Sequence, residues 1–146
     1  MTVADLSTVV RLWAGMPGVG LNEMDELGPL EAYLRRNPGL SLVAFYGEEL
    51  VGAVLCGYDG RRGYLDHLAV VPTFRSRGLG RSLVRRRSTE LATLGILRCN
   101  IFLYVDNEPG RCFWQRCNWA PRSDLQTWQR STKPTVDEAA QTSTAS

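Results

Sequence analysis

The sequence predicts a single α/β domain. Apolar residues recur at helical spacing in several segments, and short apolar runs bounded by Gly, Pro and Asn alternate with those segments. A turn rich in Arg and Gly then joins one such run to the longest helical pattern. The length of 146 residues suits one core rather than two. A chain of that size buries roughly 70% of its unfolded surface and needs no disulfide or metal staple. Hydrophobic residues at 44% and charged residues at 22% exclude a disordered or fibrous chain.

The elements follow in order. Leu6, Val9, Val10 and Trp13 mark a helix over 4–14, broken by Gly15, Pro17, Gly18 and Gly20. A loop with the acids Glu23, Asp25 and Glu26 leads to a second helix over 27–36, which stops before Asn37-Pro38-Gly39. Residues 41–46 and 50–57 read as a hairpin closed at Gly47-Glu48-Glu49. Residues 64–71 form a third strand, ended by Pro72. A helix over 78–94 carries the apolar stripe Leu79, Leu83, Val84, Leu91 and Leu94, with Gly95 as its stop. Another strand is expected over 98–105. A short helix follows Asp106-Asn107, with Pro109 in its first turn, and a last strand is expected over 121–130. The domain thus covers 1–130. Residues 131–146 are small and polar, with almost nothing to bury, and read as a disordered tail.

No apolar stretch approaches the ~20 residues of a membrane span. The opening MTVADLSTVVRLW has no basic-then-apolar order, so it does not read as a signal peptide. Cys56, Cys99, Cys112 and Cys117 then read as reduced thiols of a cytoplasmic protein. With His67 the only histidine, a metal site is not expected. Charge is uneven. Residues 1–60 hold three Arg and eight acids, whereas 61–130 hold thirteen Arg and five acids. That asymmetry suits two ligands of opposite charge.

The stretch LAVVPTFRSRGLGRSLV, residues 68–84, joins strand, turn and helix. A helix N-terminus leaves backbone N–H groups unpaired and partly positive. Gly78 and Gly80 remove side chains where a phosphate would approach. Arg75, Ser76, Arg77, Arg81 and Ser82 add donors around the same point. Neither the Walker loop nor the dinucleotide glycine pattern fits this order of residues. Arg85, Arg86 and Arg87 lie one turn on and read as a solvated face, or as a contact for one further phosphate. The phosphate reading leaves no nucleic-acid partner expected.

Arg75-Ser76-Arg77-Gly78-Leu79-Gly80 resembles the Arg/Gln-x-x-Gly-x-Gly/Ala signature of the GNAT superfamily of N-acetyltransferases. Leu68-Ala69-Val70 resembles that family's cofactor strand, and Asn107, Gly110, Phe113-Trp114 and Asn118-Trp119 resemble its later block. The resemblance implies a mixed, mostly antiparallel sheet with helices on both faces; the family opens with a strand, but only Met1 to Val3 precede the first helix here, so that first strand is short or missing. A sheet edge weakened in that way suits cover by a second copy, a homodimer. The resemblance also implies acetyl-CoA as cosubstrate with an amine as acceptor. It places the pyrophosphate on the amides of residues 75–82 and the pantetheine arm along Leu68, Ala69 and Val70. Asn107 would either bond the arm or serve only as a helix cap.

Within the same resemblance, Tyr64 or Asp66 supplies the base or water relay. Plain strand alternation puts Tyr64, Asp66, Leu68 and Val70 on one side and Leu65, His67 and Ala69 on the other, which turns His67 away. Trp114 stands where many members carry a tyrosine acid, and an indole N–H is no practical acid. Trp13, the loop Gly15 to Asn22, and Glu23, Asp25 and Glu26 would frame a cationic acceptor.

Overall fold

The computed structural model describes residues 1–134. Its four strands form one open sheet: β1 (Leu42–Tyr46), β2 (Glu49–Tyr58), β3 (Gly63–Val70) and β4 (Cys99–Asn100), adjacent in that order. The first two pairings are antiparallel and β3–β4 is parallel. The helices are α1 (Leu6–Ala14), α2 (Leu27–Arg36), α3 (Leu79–Thr93) and α4 (Glu108–Arg116).

The central strand shows why helices lie on both faces. Leu50, Ala53 and Leu55 of β2 pack against Leu6, Val9 and Trp13 of α1 and Leu30 and Leu34 of α2. Val54 and Cys56 pack against Leu83, Val84 and Leu91 of α3 and against Ile96. A strand covered on both sides reads as a continuous apolar run, which is the pattern of residues 50–56. Each fully buried aliphatic side chain contributes roughly 1.5–3 kcal/mol, so the two layers are held independently of one another.

Some sequence expectations change. The run 98–105 pairs only at Cys99 and Asn100, and no strand forms over 121–130, where Leu125 and Trp128 are exposed. Polar and charged residues dominate 121–130, so no apolar face draws it onto the sheet. No strand precedes α1; instead the Met1 ammonium donates to Ser41 O at 2.9 Å, beside the start of β1. Leu94 leaves the α3 stripe and is exposed, while Arg87 enters it. Arg87 is 8% exposed and donates to Leu40 O at 2.7 Å and Gly39 O at 3.3 Å, so it does not belong to a solvated face. Most of the expected tail, residues 135–146, lies outside the described residues; Lys133 pairs with Glu23 at 3.2 Å. Among the described residues no helix is long and apolar enough to cross a membrane.

Candidate active site

β3 is the strand on which the site is built, and its middle is irregular. Leu55 faces Asp66 and Ala53 faces Ala69, so Val54 alone stands opposite both His67 and Leu68. One extra residue on β3 makes a bulge. His67 takes it up with φ of 52°, in the left-handed region. Alternation therefore restarts at the bulge. Leu65 and Leu68 both pack on the α3 side, whereas Ala69 packs on the α1–α2 side. His67 is not turned away: its Nε2 lies 2.7 Å from Asp25 Oδ1, and its ring meets Trp13 edge-on at 5.0 Å. The sequence carries no local sign of a bulge here, and simple alternation misplaces His67, Leu68 and Ala69 relative to Leu65.

Beside the bulge the sheet opens. β3 and β4 pair only at Gly63↔Cys99 and Tyr64↔Asn100. Past that point, among the described residues, Leu65 to Val70 have no strand on that side, and residues 101–104 continue as irregular chain. The result is a slot lined on one edge by unpaired strand backbone. Tyr64 stacks on Phe102 at 6.3 Å near its inner end.

The outer end of the slot meets the start of α3. Ser76 and Gly78 have φ of 60° and 81°, which turns the chain sharply into the helix. The first amide bonded back within α3 is Ser82 N–H, to Gly78 O at 2.9 Å. The amides of Leu79, Gly80 and Arg81 precede it and have no helical acceptor. A Cβ on Gly78 would meet nothing within 4 Å, so this corner is open. Gly80 differs: a Cβ there would lie 3.1 Å from Phe113 Cε2, so its smallness serves α3–α4 packing. Arg75 Nε donates to Val70 O at 3.0 Å and ties the turn to the end of β3. Arg77 sits 5.0 Å over the Phe74 ring. Arg81 donates to Arg116 O at 3.3 Å and lines, with Arg85, Arg116 and Trp119, a groove of ≈ 320 Å³ between α3 and α4.

Asn107 caps α4, accepting Gly110 N–H at 2.9 Å through Oδ1. A Cβ on Gly18 would come within 2.7 Å of its Nδ2, and one on Gly20 within 2.9 Å of Tyr104 Cζ. Two glycines thus let the loop after α1 lie directly on residues 104–107 and close one wall of the slot. Trp114 packs edge-on against Phe113 and Trp119, with centroids at 5.2 and 4.9 Å.

The α1–α2 side of β3 gathers ionisable groups. Asp25 is 9% exposed, and its Oδ2 accepts Asn22 N–H at 2.9 Å. Burial pushes the Asp66 carboxyl above the usual carboxylate range; His67 draws it down and Asp25 raises it further. The Tyr33 hydroxyl is buried with no hydrogen-bond partner among the described residues, and burial raises it well above the ordinary phenol value. Burial also pushes the Cys56 thiol up to about 11 and Cys99 up to about 12, so neither is an activated nucleophile. Of the residues expected to frame the acceptor, Trp13 is core at 0% exposure and Asp25 is engaged by His67, whereas Glu23 and Glu26 face solvent. Among the described residues no cluster of three metal-ligating side chains occurs.

The profile of the acetyltransferase (GNAT) family matches residues 9–119. The chain belongs to that family. By membership this GNAT protein is an acetyl-CoA-dependent acetyltransferase. It is 38% identical over 111 residues to an acetyltransferase of Pectobacterium atrosepticum, covering 71% of this chain and 73% of that one. An acetyltransferase of Yersinia enterocolitica is 32% identical over 108 residues, 74% of each chain. The fold also matches solved structures. An aminoglycoside antibiotic 6′-N-acetyltransferase from Acinetobacter haemolyticus superposes with TM-score 0.73 at 14% identity, covering 91% of this chain and 97% of that one. The PaiA N-acetyltransferase of Thermoplasma acidophilum, solved with coenzyme A, gives TM-score 0.66 at 19% identity, covering 80% and 84%.

Proposed function

We propose that the protein transfers the acetyl group of acetyl-CoA to the nitrogen of an amine, on a small molecule or a peptide, by direct attack with both substrates bound. The observation that carries this reading is the slot between β3 and residues 101–104, which ends at the open N-terminus of α3. An amide-rich arm can pair with unpaired strand backbone as an added strand does, and a pyrophosphate suits free helix amides. Leu68, Ala69 and Val70 would supply the backbone. Arg75, Ser76, Arg77, Gly78, Leu79, Gly80, Arg81 and Ser82 would surround the phosphates. Asn107 Nδ2, left over by the cap, is available to the arm, and Trp114 backs this corner through packing.

Asp66 serves as relay on the amine's side of the slot, with Tyr64 beside it. A carboxyl raised by burial exchanges protons with an amine more readily than an ordinary aspartate. A second reading, a protein that binds the coenzyme without turning it over, is favoured by Trp114, which is packed among aromatics and carries no transferable proton.

Calorimetry with acetyl-CoA, followed by thiol release over an amine panel, separates the two. Binding with thiol release on one amine class is the expected outcome; binding without release on any amine supports the second reading. Gly78→Val is expected to abolish coenzyme binding, since it adds bulk at the open corner where φ is 81°. Normal affinity in a folded Gly78→Val variant would remove the α3 turn from the phosphate site.

A further inference from the structure

His67 is the single histidine of the chain and occupies the extra position of the β3 bulge. A side chain in the left-handed region costs of order 1–2 kcal/mol. Such strain persists where the surroundings hold it, and functional sites are one such place. Here the ring is fixed from two sides, by Asp25 Oδ1 at 2.7 Å and by the Trp13 edge at 5.0 Å. Asp25 is itself fixed, because its other oxygen accepts Asn22 N–H. An ionised carboxylate can only accept, so Nε2 carries the hydrogen toward Asp25. In the neutral ring the lone pair is then on Nδ1.

The bulge also lies at a definite place along the slot. α3 begins just beyond the C-terminal end of β3, so an arm anchored there by its phosphates runs back past Val70, Ala69 and Leu68. Its far end, the thioester, would then come level with His67 and Asp66. We propose that His67, its tautomer set by Asp25, is the group that accepts the acceptor amine's proton. This rests on the transferase reading above.

The step balances as follows. The ammonium gives one proton to His67 Nδ1, directly or through Asp66. The amine lone pair forms the N–C bond to the thioester carbon, and the C–S bond breaks with its electron pair going to sulfur. The second nitrogen proton ends on that sulfur as the free thiol, and His67 releases the first to solvent. The ionisable groups around the ring are Asp25 from the loop and Asp66 from β3, with Tyr33 of α2 beyond Asp66; α1 contributes Trp13.

The test uses the full chain. Asparagine tolerates a left-handed backbone, so His67→Asn should keep the bulge and the acetyl-CoA affinity. Its kcat should fall by roughly 100-fold or more, the usual range for a lost general base, with KM for acetyl-CoA unchanged. Added imidazole should restore turnover to His67→Gly, which a purely structural histidine would not permit. In ¹⁵N spectra the lone imidazole should carry its hydrogen on Nε2, and Asp25→Asn should mix the tautomers. Unchanged kcat in His67→Asn, or loss without imidazole rescue in a folded His67→Gly, overturns the proposal. If no amine yields thiol from the wild type, the transferase reading has failed. The imidazole signal then decides separately: acetyl-CoA that binds without shifting it overturns the placement of His67 at the thioester.

Discussion

On the α3 side of the sheet the strands meet Leu83, Val84, Leu91 and Ile96, with the Cys56 thiol in the same cluster and Arg87 of α3 buried against the carbonyls of residues 39 and 40. On the α1–α2 side they meet Trp13, Leu30 and Leu34, but also Asp25, Asp66, His67 and Tyr33. The α3 face holds one buried cation, tied to backbone carbonyls, and thiols that burial keeps protonated, while the other face sets carboxyl groups beside an imidazole. Buried polar groups cost stability unless they are paired. Keeping the carboxyl groups and the imidazole together on one face confines that cost to the groups that the proposed function uses.

Paired core truncations test that contrast most strongly. Trp13→Ala should cost about 3–5 kcal/mol in urea unfolding, and activity per folded molecule should fall too, because the indole braces His67. Leu91→Ala should cost about 2–5 kcal/mol with little change in activity per folded molecule. Equal activity losses in the two variants would break the distinction between the faces. Arg87→Met comes next. It keeps the buried stem but strips the donors from Leu40 O and Gly39 O, for a cost of about 1–3 kcal/mol without effect on coenzyme binding.

Asp66→Asn should have the smallest effect on stability, with a particular pH signature. The folded carboxyl holds its proton more tightly than the unfolded one. Stability contributed by this group is therefore present at acid pH and lost as pH rises from the ordinary aspartate value through the raised one. Asp66→Asn should flatten that slope and leave the protein no less stable at neutrality. A urea midpoint that falls equally at every pH would show Asp66 to be held by a partner rather than merely buried.

Most of the α3 side was legible in the sequence. Most of its stripe, its Gly stop and the Arg75-to-Gly80 turn depend on local spacing, and the expectation of an anion at the start of α3 rested on that turn standing between a strand and a helix. What escaped depends on pairing between distant segments. The bulge arises from the register of β2 against β3, so a strict alternation of residues 64–70 turned His67 to the wrong face. The His67–Asp25 contact spans 42 positions and has no local signature. Arg87 looked solvated among Arg85 and Arg86 because only the return of residues 39–40 beneath α3 gives it carbonyls to bind. The short β4 was equally hidden: residues 98–105 have the composition of a strand, and only the divergence beside β3 shows that most of them do not pair.

That short β4 leaves a seam in the sheet. A cosubstrate lying in it would be a temporary structural member as well as a reagent. At one hundred times its dissociation constant such a ligand adds about 2.7 kcal/mol to the folded state. The unloaded protein would then open more often along the seam and be cleaved first by proteases. The amount of enzyme a cell keeps would follow its supply of activated acyl groups, with no separate regulator required.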